Sequence, residues 1–283
     1  MPPTLESTIA VFEYALVFAG LGVIAWLGFH PAGRAARTRP AALPPWDIRL
    51  IDFLALAWLV LALGLCGQLL LRVTVGGLFQ RSPDAETLEL VTYGCMFHVG
   101  AIVTWFAARA WVRRREARAG APAAIAPPAT GARGVRDGTL ALLAAIPLVT
   151  AADLLWEPLL KLAGLPLARQ ELVDMFLAVK SPLVFGWMVV VALVVAPVGE
   201  EIAFRAGLYR YLRGRAPQWV ALAVSASLFA AVHGNWVSFL PLFVLGVVFA
   251  LAYERTGLIA VPIVAHALFN LNSLLLVLGG GGK

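Results

Sequence analysis

Long apolar runs separated by short polar segments recur along this chain of 283 residues. Its composition is 61% hydrophobic and 13% charged, whereas soluble domains have about 45–50% apolar and about 25% charged residues. A helix needs about 20 apolar residues to cross the hydrocarbon core of a bilayer. The sequence therefore predicts an all-α, polytopic transmembrane helical bundle of about eight spans. The predicted spans are Thr8–Phe29, Ile51–Val73, Leu88–Ala110, Thr139–Trp156, Leu183–Leu212, Trp219–His233, Trp236–Tyr253 and Leu258–Leu278.

The arginines are distributed unevenly among the loops. They are concentrated in the loops that join spans one and two, three and four, five and six, and seven and eight. Because cytoplasmic loops carry an excess of Lys and Arg, we expect these loops to be cytoplasmic and both termini to be outside. The same pattern accounts for the net charge of +6, so no nucleic-acid partner is predicted. The Arg- and Ala-rich composition favours a bacterial inner (cytoplasmic) membrane.

A segment rich in Ala, Pro and Gly divides the chain. We interpret residues 119–138 as a flexible basic linker, because such composition disfavours regular structure. Residues 1–118 would form an N-terminal segment of three spans, and residues 139–283 a C-terminal helical bundle. The polar residues that most need an explanation lie in this second part.

Two adjacent glutamates follow an apolar run in the fifth predicted span. An ionised carboxylate at membrane depth is costly, and intramembrane acids usually mark a functional site. Arg205 follows Glu201 by four residues, which is the favourable order for an ion pair on a helix. Glu200 then has no partner within its own helix and is available to water or to a histidine.

Further polar residues are predicted at the same depth. If the helical hairpins turn at the arginine-rich loops, a rise of 1.5 Å per residue places Glu200, His233, His266 and Asn270 within about 10 Å of one another in depth. His266 and Asn270 share one helix face, and so do Phe229 and His233. Four polar groups buried at one level without a use would be costly, so a shared site is favoured.

Other ionisable residues in the spans have simpler interpretations. His98 is interpreted as a hydrogen-bonded packing residue, and the pair of Glu201 and Arg205 as structural. Asp153 and Glu157 are expected at the outer interface of the membrane.

Three motifs, in this order along the chain, resemble a known family. They are Glu200-Glu201-x-x-x-Arg205, Phe229-x-x-x-His233 and His266-x-x-x-Asn270. They are similar to the motifs of the CAAX-processing and bacteriocin-processing (CPBP) intramembrane proteases, which include the Ras-converting prenyl-protein endopeptidase and the abortive-infection (Abi) proteins. The resemblance covers about residues 183–275.

The resemblance implies an intramembrane endopeptidase that hydrolyses peptide bonds of membrane-associated or CAAX-like peptide or protein substrates. Glu200 would be the general base that activates water, assisted by His233. His266 and Asn270 would stabilise the oxyanion. Glu201 and Arg205 would orient and neutralise this turn of the helix, with Phe229 in a supporting role.

The residues leave two forms of water activation open. Glu200, His233 and His266 could hold a divalent metal such as zinc and keep one position open for water. The spacing His-Glu-x-x-His is absent, however, so these ligands would come from three helices. A glutamate-activated water without a metal is equally consistent with the sequence.

Two other classes of function also remain open. The chain could be a non-enzymatic membrane scaffold or a bacteriocin-immunity protein, since Abi relatives are implicated in self-immunity. A proton-coupled transporter could also use buried acids, although the sequence has neither an inverted repeat nor a pair of broken helices.

Overall fold

The computed structural model describes residues 5–38, 40–43, 46, 48–118, 131–167 and 171–279. Every regular element among these residues is a helix, which confirms the all-α class. Two π-helical segments, Val191–Val195 and Ile202–Tyr209, join three short α-helices, so that Pro182–Arg213 forms one continuous helix. We call it the glutamate helix. The helices are α1 Leu5–Phe29, α2 Pro31–Thr38, α3 Leu50–Phe79, α4 Ala85–Arg118, α5 Gly131–Leu162, α6 Glu171–Ala178, α7 Pro182–Val190, α8 Ala196–Glu201, α9 Arg210–Arg213, α10 Gln218–Ala231, α11 Trp236–Thr256 and α12 Ala260–Leu278.

Seven helices in the described part of the chain are long and apolar enough to cross a membrane. They are α1, α3, α4, α5, the glutamate helix, α11 and α12. The polytopic bundle is thus confirmed, but the predicted sixth span, Trp219–His233, corresponds to the short helix α10, which is not among these seven. Helix α10 has 14 residues and covers about 21 Å, which is less than the hydrocarbon thickness of about 30 Å.

The early end of α10 has a local cause. Gly234 has a φ of +64°, a left-handed conformation that terminates helices and that favours glycine. The side chain of Asn235 then accepts the backbone N–H of Ser238 at 3.0 Å and so caps the start of α11. These stop and start signals place His233 in the connection between two helices, and not inside a span.

The C-terminal helices pack around α5. Helix α5 contacts α1, α11 and α12, while α10 packs against α11. Phe229, Leu245, Phe249 and Ala265 are fully buried in the core of this group. The N-terminal helices α3 and α4 form a hairpin, and α4 contacts α8 within the glutamate helix.

The predicted linker is partly helical. Residues 119–130 lie outside the described residues, but residues 131–138 form the beginning of α5. Gly138 explains why this part is ordered, because a Cβ there would lie 2.8 Å from the carbonyl oxygen of Val261 on α12. Close helix packing therefore overrides the low helix propensity of the glycines. The boundary between an N-terminal and a C-terminal unit stays a prediction.

The arginine-rich loops meet at one end of the bundle. The N–H of Ala42 donates to the carbonyl oxygen of Glu254 at 2.8 Å, and Arg213 Nε donates to Glu254 Oε1 at 3.0 Å. A Cβ at Gly134, near the start of α5, would lie 3.2 Å from the Cβ of Ala260. The alternation of basic and non-basic loops that the sequence predicts therefore matches the packing of the helices.

Candidate active site

Glu200 projects from α8 and lies between two imidazole rings. Its Oε1 is 3.9 Å from Nε2 of His98 on α4, and its Oε2 is 3.9 Å from Nε2 of His266 on α12. The side chain is 16% exposed, and Oε2 accepts no hydrogen bond from any described residue. A buried acceptor without a donor is costly, so this oxygen is suited to bind water. A water about 2.8 Å from both Oε2 and His266 Nε2 would fit this separation.

Glu201 has a different environment from Glu200, although the two are adjacent. Its side chain is fully buried, and its Oε1 accepts from Arg205 Nη1 at 2.9 Å. The same oxygen lies 2.8 Å from Nδ1 of His266. Because a carboxylate only accepts, Nδ1 carries the hydrogen. The predicted ion pair of Glu201 and Arg205 is formed, and Glu201 also directs Nε2 of His266 towards Glu200.

The Arg205 guanidinium is enclosed within the bundle. It lies 4.2 Å from the centre of the Phe229 ring and 5.5 Å from that of Phe249, which are distances of cation–π contacts. Its Nη2 also donates to the carbonyl oxygen of Gly246 at 3.3 Å. A Cβ at Gly246 would lie 3.4 Å from Nη2 and 3.0 Å from the Cβ of Ala226. Glycine therefore allows α11 to approach the arginine closely.

Phe229 connects the two histidines of the predicted site. Its ring packs edge-on against His233 and His266, with ring centres 5.1 Å and 5.9 Å away. His233 Nδ1 lies 2.8 Å from the carbonyl oxygen of Phe229. Since that oxygen can only accept, Nδ1 carries the hydrogen and Nε2 of a neutral His233 presents a lone pair.

His233 takes a more distant position than the sequence suggests. Among the described residues, the histidines within 4.0 Å of the Glu200 carboxylate are His98 and His266. His233 instead lies within electrostatic range of His98. It is half-buried in the connection between α10 and α11, at the edge of the group.

Asn270 is held by an irregularity in the glutamate helix. Ala196 donates its N–H to the carbonyl oxygen of Val191, five residues earlier. The next residue in this π-helical register is Pro197, which has no N–H, so the carbonyl oxygen of Ala192 lacks its helical donor. Asn270 Nδ2 donates to this oxygen at 2.8 Å. The second hydrogen on Nδ2 remains for another acceptor.

The sequence analysis interpreted His98 as a packing residue and therefore missed its place beside Glu200. A Cβ at Gly199 would lie 2.5 Å from the Cβ of His98 and 2.6 Å from its Cα. Glycine at this position thus lets the backbone of α4 contact the glutamate helix beside Glu200. Glycine immediately before the acidic pair is the sequence signal for such a contact, although it does not name the partner.

Asp153 and Glu157 lie away from these residues. Both are on the last turns of α5, where Asp153 is exposed and Glu157 pairs with Lys161 at 2.6 Å. Their location at the outer interface of the membrane stays a prediction.

The predicted metal ligands do not form a ligand set. Among the described residues, no group of three or more His, Cys, Asp or Glu side chains could hold a metal ion. In this arrangement Glu200, His233 and His266 do not fit a zinc centre.

The helices and the site together define a polytopic membrane protein with carboxylate, imidazole and amide groups gathered inside its bundle. Residues 182–272 match the family described as "Type II CAAX prenyl endopeptidase Rce1-like". This segment nearly coincides with the predicted 183–275, and the match supports the resemblance to the CPBP family that the three motifs indicate.

One curated protein is similar in sequence to part of this chain. The protein named "Putative membrane peptidase YdiL" of Bacillus subtilis (strain 168) is 35% identical over 83 residues. The aligned region covers 29% of this chain and 34% of the relative, so the match spans about a third of the length of that protein. No solved structure matches the chain.

Proposed function

We propose that this protein is an intramembrane endopeptidase in which Glu200 activates water to hydrolyse a peptide bond. One observation carries the proposal. A buried oxygen of the Glu200 carboxylate has no donor among the described residues and faces an imidazole nitrogen at 3.9 Å. Such a group can accept a proton from a bound water. The family match and the name of the bacterial relative support a peptidase.

The first chemical step is attack on the scissile carbonyl. Water bound to Glu200 Oε2 transfers one proton to the carboxylate while its oxygen forms a bond to the carbonyl carbon. Glu200 becomes neutral, and the negative charge moves to the former carbonyl oxygen. General base catalysis of this kind contributes about 10²–10⁴-fold to rates.

In this proposal two side chains stabilise the developing oxyanion. His266, when protonated, presents Nε2–H, since Glu201 accepts from Nδ1. Asn270 presents the second hydrogen of Nδ2, since the first is donated to Ala192. Fixed donors of this kind need little reorganisation during the reaction, and one of them is worth about 10²–10³-fold in rate.

Collapse of the tetrahedral intermediate completes the reaction. The bond between carbon and nitrogen breaks, and the departing amine takes the proton that Glu200 received. His233 assists this proton transfer through Nε2. When the ring is neutral, Nε2 presents a lone pair, because Nδ1 carries the hydrogen and donates it to a carbonyl oxygen. The products are a new carboxyl terminus and a new amino terminus.

The position of the site supports the proposed substrate class. Glu200 lies 13 residues before Arg213, the last residue of the glutamate helix, and is therefore about 20 Å from the arginine-rich end of the bundle. A peptide must enter the membrane region to reach it. Membrane-associated peptides or proteins, including CAAX-like termini, are the proposed substrates, and the bacterial inner membrane is the proposed location.

Comparison of protein termini in cells tests the proposal. Membranes from cells that express the wild type, Glu200→Gln or Glu157→Gln at matched levels are analysed by terminal-peptide proteomics. Glutamine preserves the size of the side chain but cannot accept the proton, and Glu157 is an acid outside the site. New termini are expected with the wild type and with Glu157→Gln only. Identical termini in all three samples would favour the scaffold or immunity alternative.

A further inference from the structure

We propose that His98, in the N-terminal part of the chain, is a positioning residue of this active site that holds the Glu200 carboxylate in its reactive orientation. The inference rests on the proposed function. It assigns a role to a helix outside the segment that matches the family, because that segment is residues 182–272. The site would then be formed by both parts of the chain.

The first support is the environment of the two Glu200 oxygens. Oε1 faces His98 Nε2, whereas Oε2 faces His266 Nε2, each at 3.9 Å. A carboxylate flanked in this way can engage one oxygen with His98 while the other receives the water. The side chains of His98 and Glu200 are 26% and 16% exposed, so both are largely removed from solvent. Catalytic hydrogen bonds are often long before the substrate binds and shorten in the reactive complex.

The second support is the close approach of the two backbones. A Cβ at Gly199 would lie within 2.6 Å of both the Cα and the Cβ of His98, which is closer than atoms can pack. Only glycine permits this contact, and Gly199 directly precedes Glu200. The position of His98 is therefore set by direct helix packing beside the reactive carboxylate.

The third support is the register between α4 and the glutamate helix. The carboxylate of Asp84, directly before α4, accepts the N–H groups of Lys180 and Ser181 at 3.0 Å and 2.7 Å. Farther along, Trp187 Nε1 donates to Thr92 Oγ1 at 2.9 Å.

The contact of His98 with Gly199 continues this series. The partner numbers increase in the same order on both helices, so the two helices run parallel. A shift of α4 by one turn, about 5.4 Å, would break these polar contacts as well as the approach of His98. The polar pairs thus fix where the imidazole lies along the glutamate helix.

Kinetics of conservative and non-conservative variants test the role. Using a peptide whose cleavage depends on Glu200, His98→Leu is expected to lower kcat about 10- to 100-fold, as for loss of one hydrogen bond to a charged group. KM should change less than about twofold, because His98 acts through Glu200. His98→Gln, which restores a donor, should recover most of kcat. An unchanged kcat in His98→Leu would overturn the inference.

A second measurement does not depend on catalysis. The chain has four histidines, so their ¹⁵N resonances can be assigned by single substitutions in the detergent-solubilised protein. Glu200→Gln should shift the Nε2 resonance of His98, while the control Glu157→Gln should not. An unshifted His98 resonance would overturn the inference even if cleavage depends on Glu200. A shifted resonance with no Glu200-dependent cleavage would support the contact and overturn the endopeptidase.

Discussion

Nδ1 of His266 lies 2.8 Å from Oε1 of Glu201, so the second glutamate of the pair orients the histidine that faces the first. Neighbouring residues on a helix point about 100° apart, which gives the two acids different surroundings. Glu201 is fully buried and paired with Arg205 at 2.9 Å, while Glu200 is 16% exposed and faces two imidazole nitrogens at 3.9 Å. One acid is thus suited to structure and the other to chemistry.

Removal of the Glu201 carboxylate should affect stability and activity separately. Glu201→Leu leaves the Arg205 charge buried without its partner, which typically costs about 3–5 kcal/mol. The double variant Glu201→Leu/Arg205→Met replaces the pair with apolar groups and should recover most of that stability. Cleavage should remain low in both variants, because His266 has lost the acceptor at Nδ1. Thermal unfolding in detergent and a cleavage assay measure the two effects.

Recovery of both stability and cleavage in the double variant would contradict the orienting role of Glu201. A single variant as stable as the wild type would show that the buried ion pair does not support the fold.

Alanine at Gly199 should separate α4 from the glutamate helix. Its Cβ would lie 2.5 Å from the Cβ of His98, so the helices must move apart and His98 must leave Glu200. We expect a loss of kcat of about tenfold or more, comparable to loss of a hydrogen bond to a charged group. Gly186→Ala is a matched control on the same helix, because no atom lies within 4 Å of a Cβ there. Equal activity of the two variants would argue against this packing.

Asn270 should be needed for the rate more than for substrate binding. Asn270→Ala removes the proposed oxyanion donor and should lower kcat about 10²–10³-fold, with little change in KM. Ser273→Ala, on the same helix, removes a hydroxyl that donates to its own helix at the carbonyl oxygen of Phe269 and should have little effect. Steady-state kinetics separate the two parameters, and a change confined to KM would assign Asn270 to binding alone.

Pro197 should influence the same amide indirectly. Pro197→Ala supplies an N–H that can donate to the carbonyl oxygen of Ala192, which now accepts from Asn270 Nδ2. Competition for this oxygen should loosen Asn270 and lower kcat by a smaller factor than Asn270→Ala does. The same kinetic assay checks the order of the two variants, and a larger effect of Pro197→Ala would contradict the explanation.

Local patterns in the sequence predicted much of this arrangement. Apolar run length located the seven long helices, and the spacing of four residues predicted the pair of Glu201 and Arg205. The prediction extended α10 two residues too far, to His233, because Gly234 and Asn235 terminate one helix and begin another within an apolar region. His98 was missed for a different reason: its position depends on how α4 packs in register against a distant part of the chain. Periodicity within one helix carries no information about that register.

Hydrolysis by the purified protein tests the central claim most directly. A peptide identified from the new termini is incubated with the wild type or with Glu200→Gln in lipid vesicles, and the initial rates are compared. If Glu200 is the general base, the wild type should cleave the peptide and Glu200→Gln should be slower by about 10²–10⁴-fold while remaining folded. Cleavage by Glu200→Gln at the wild-type rate would contradict the account.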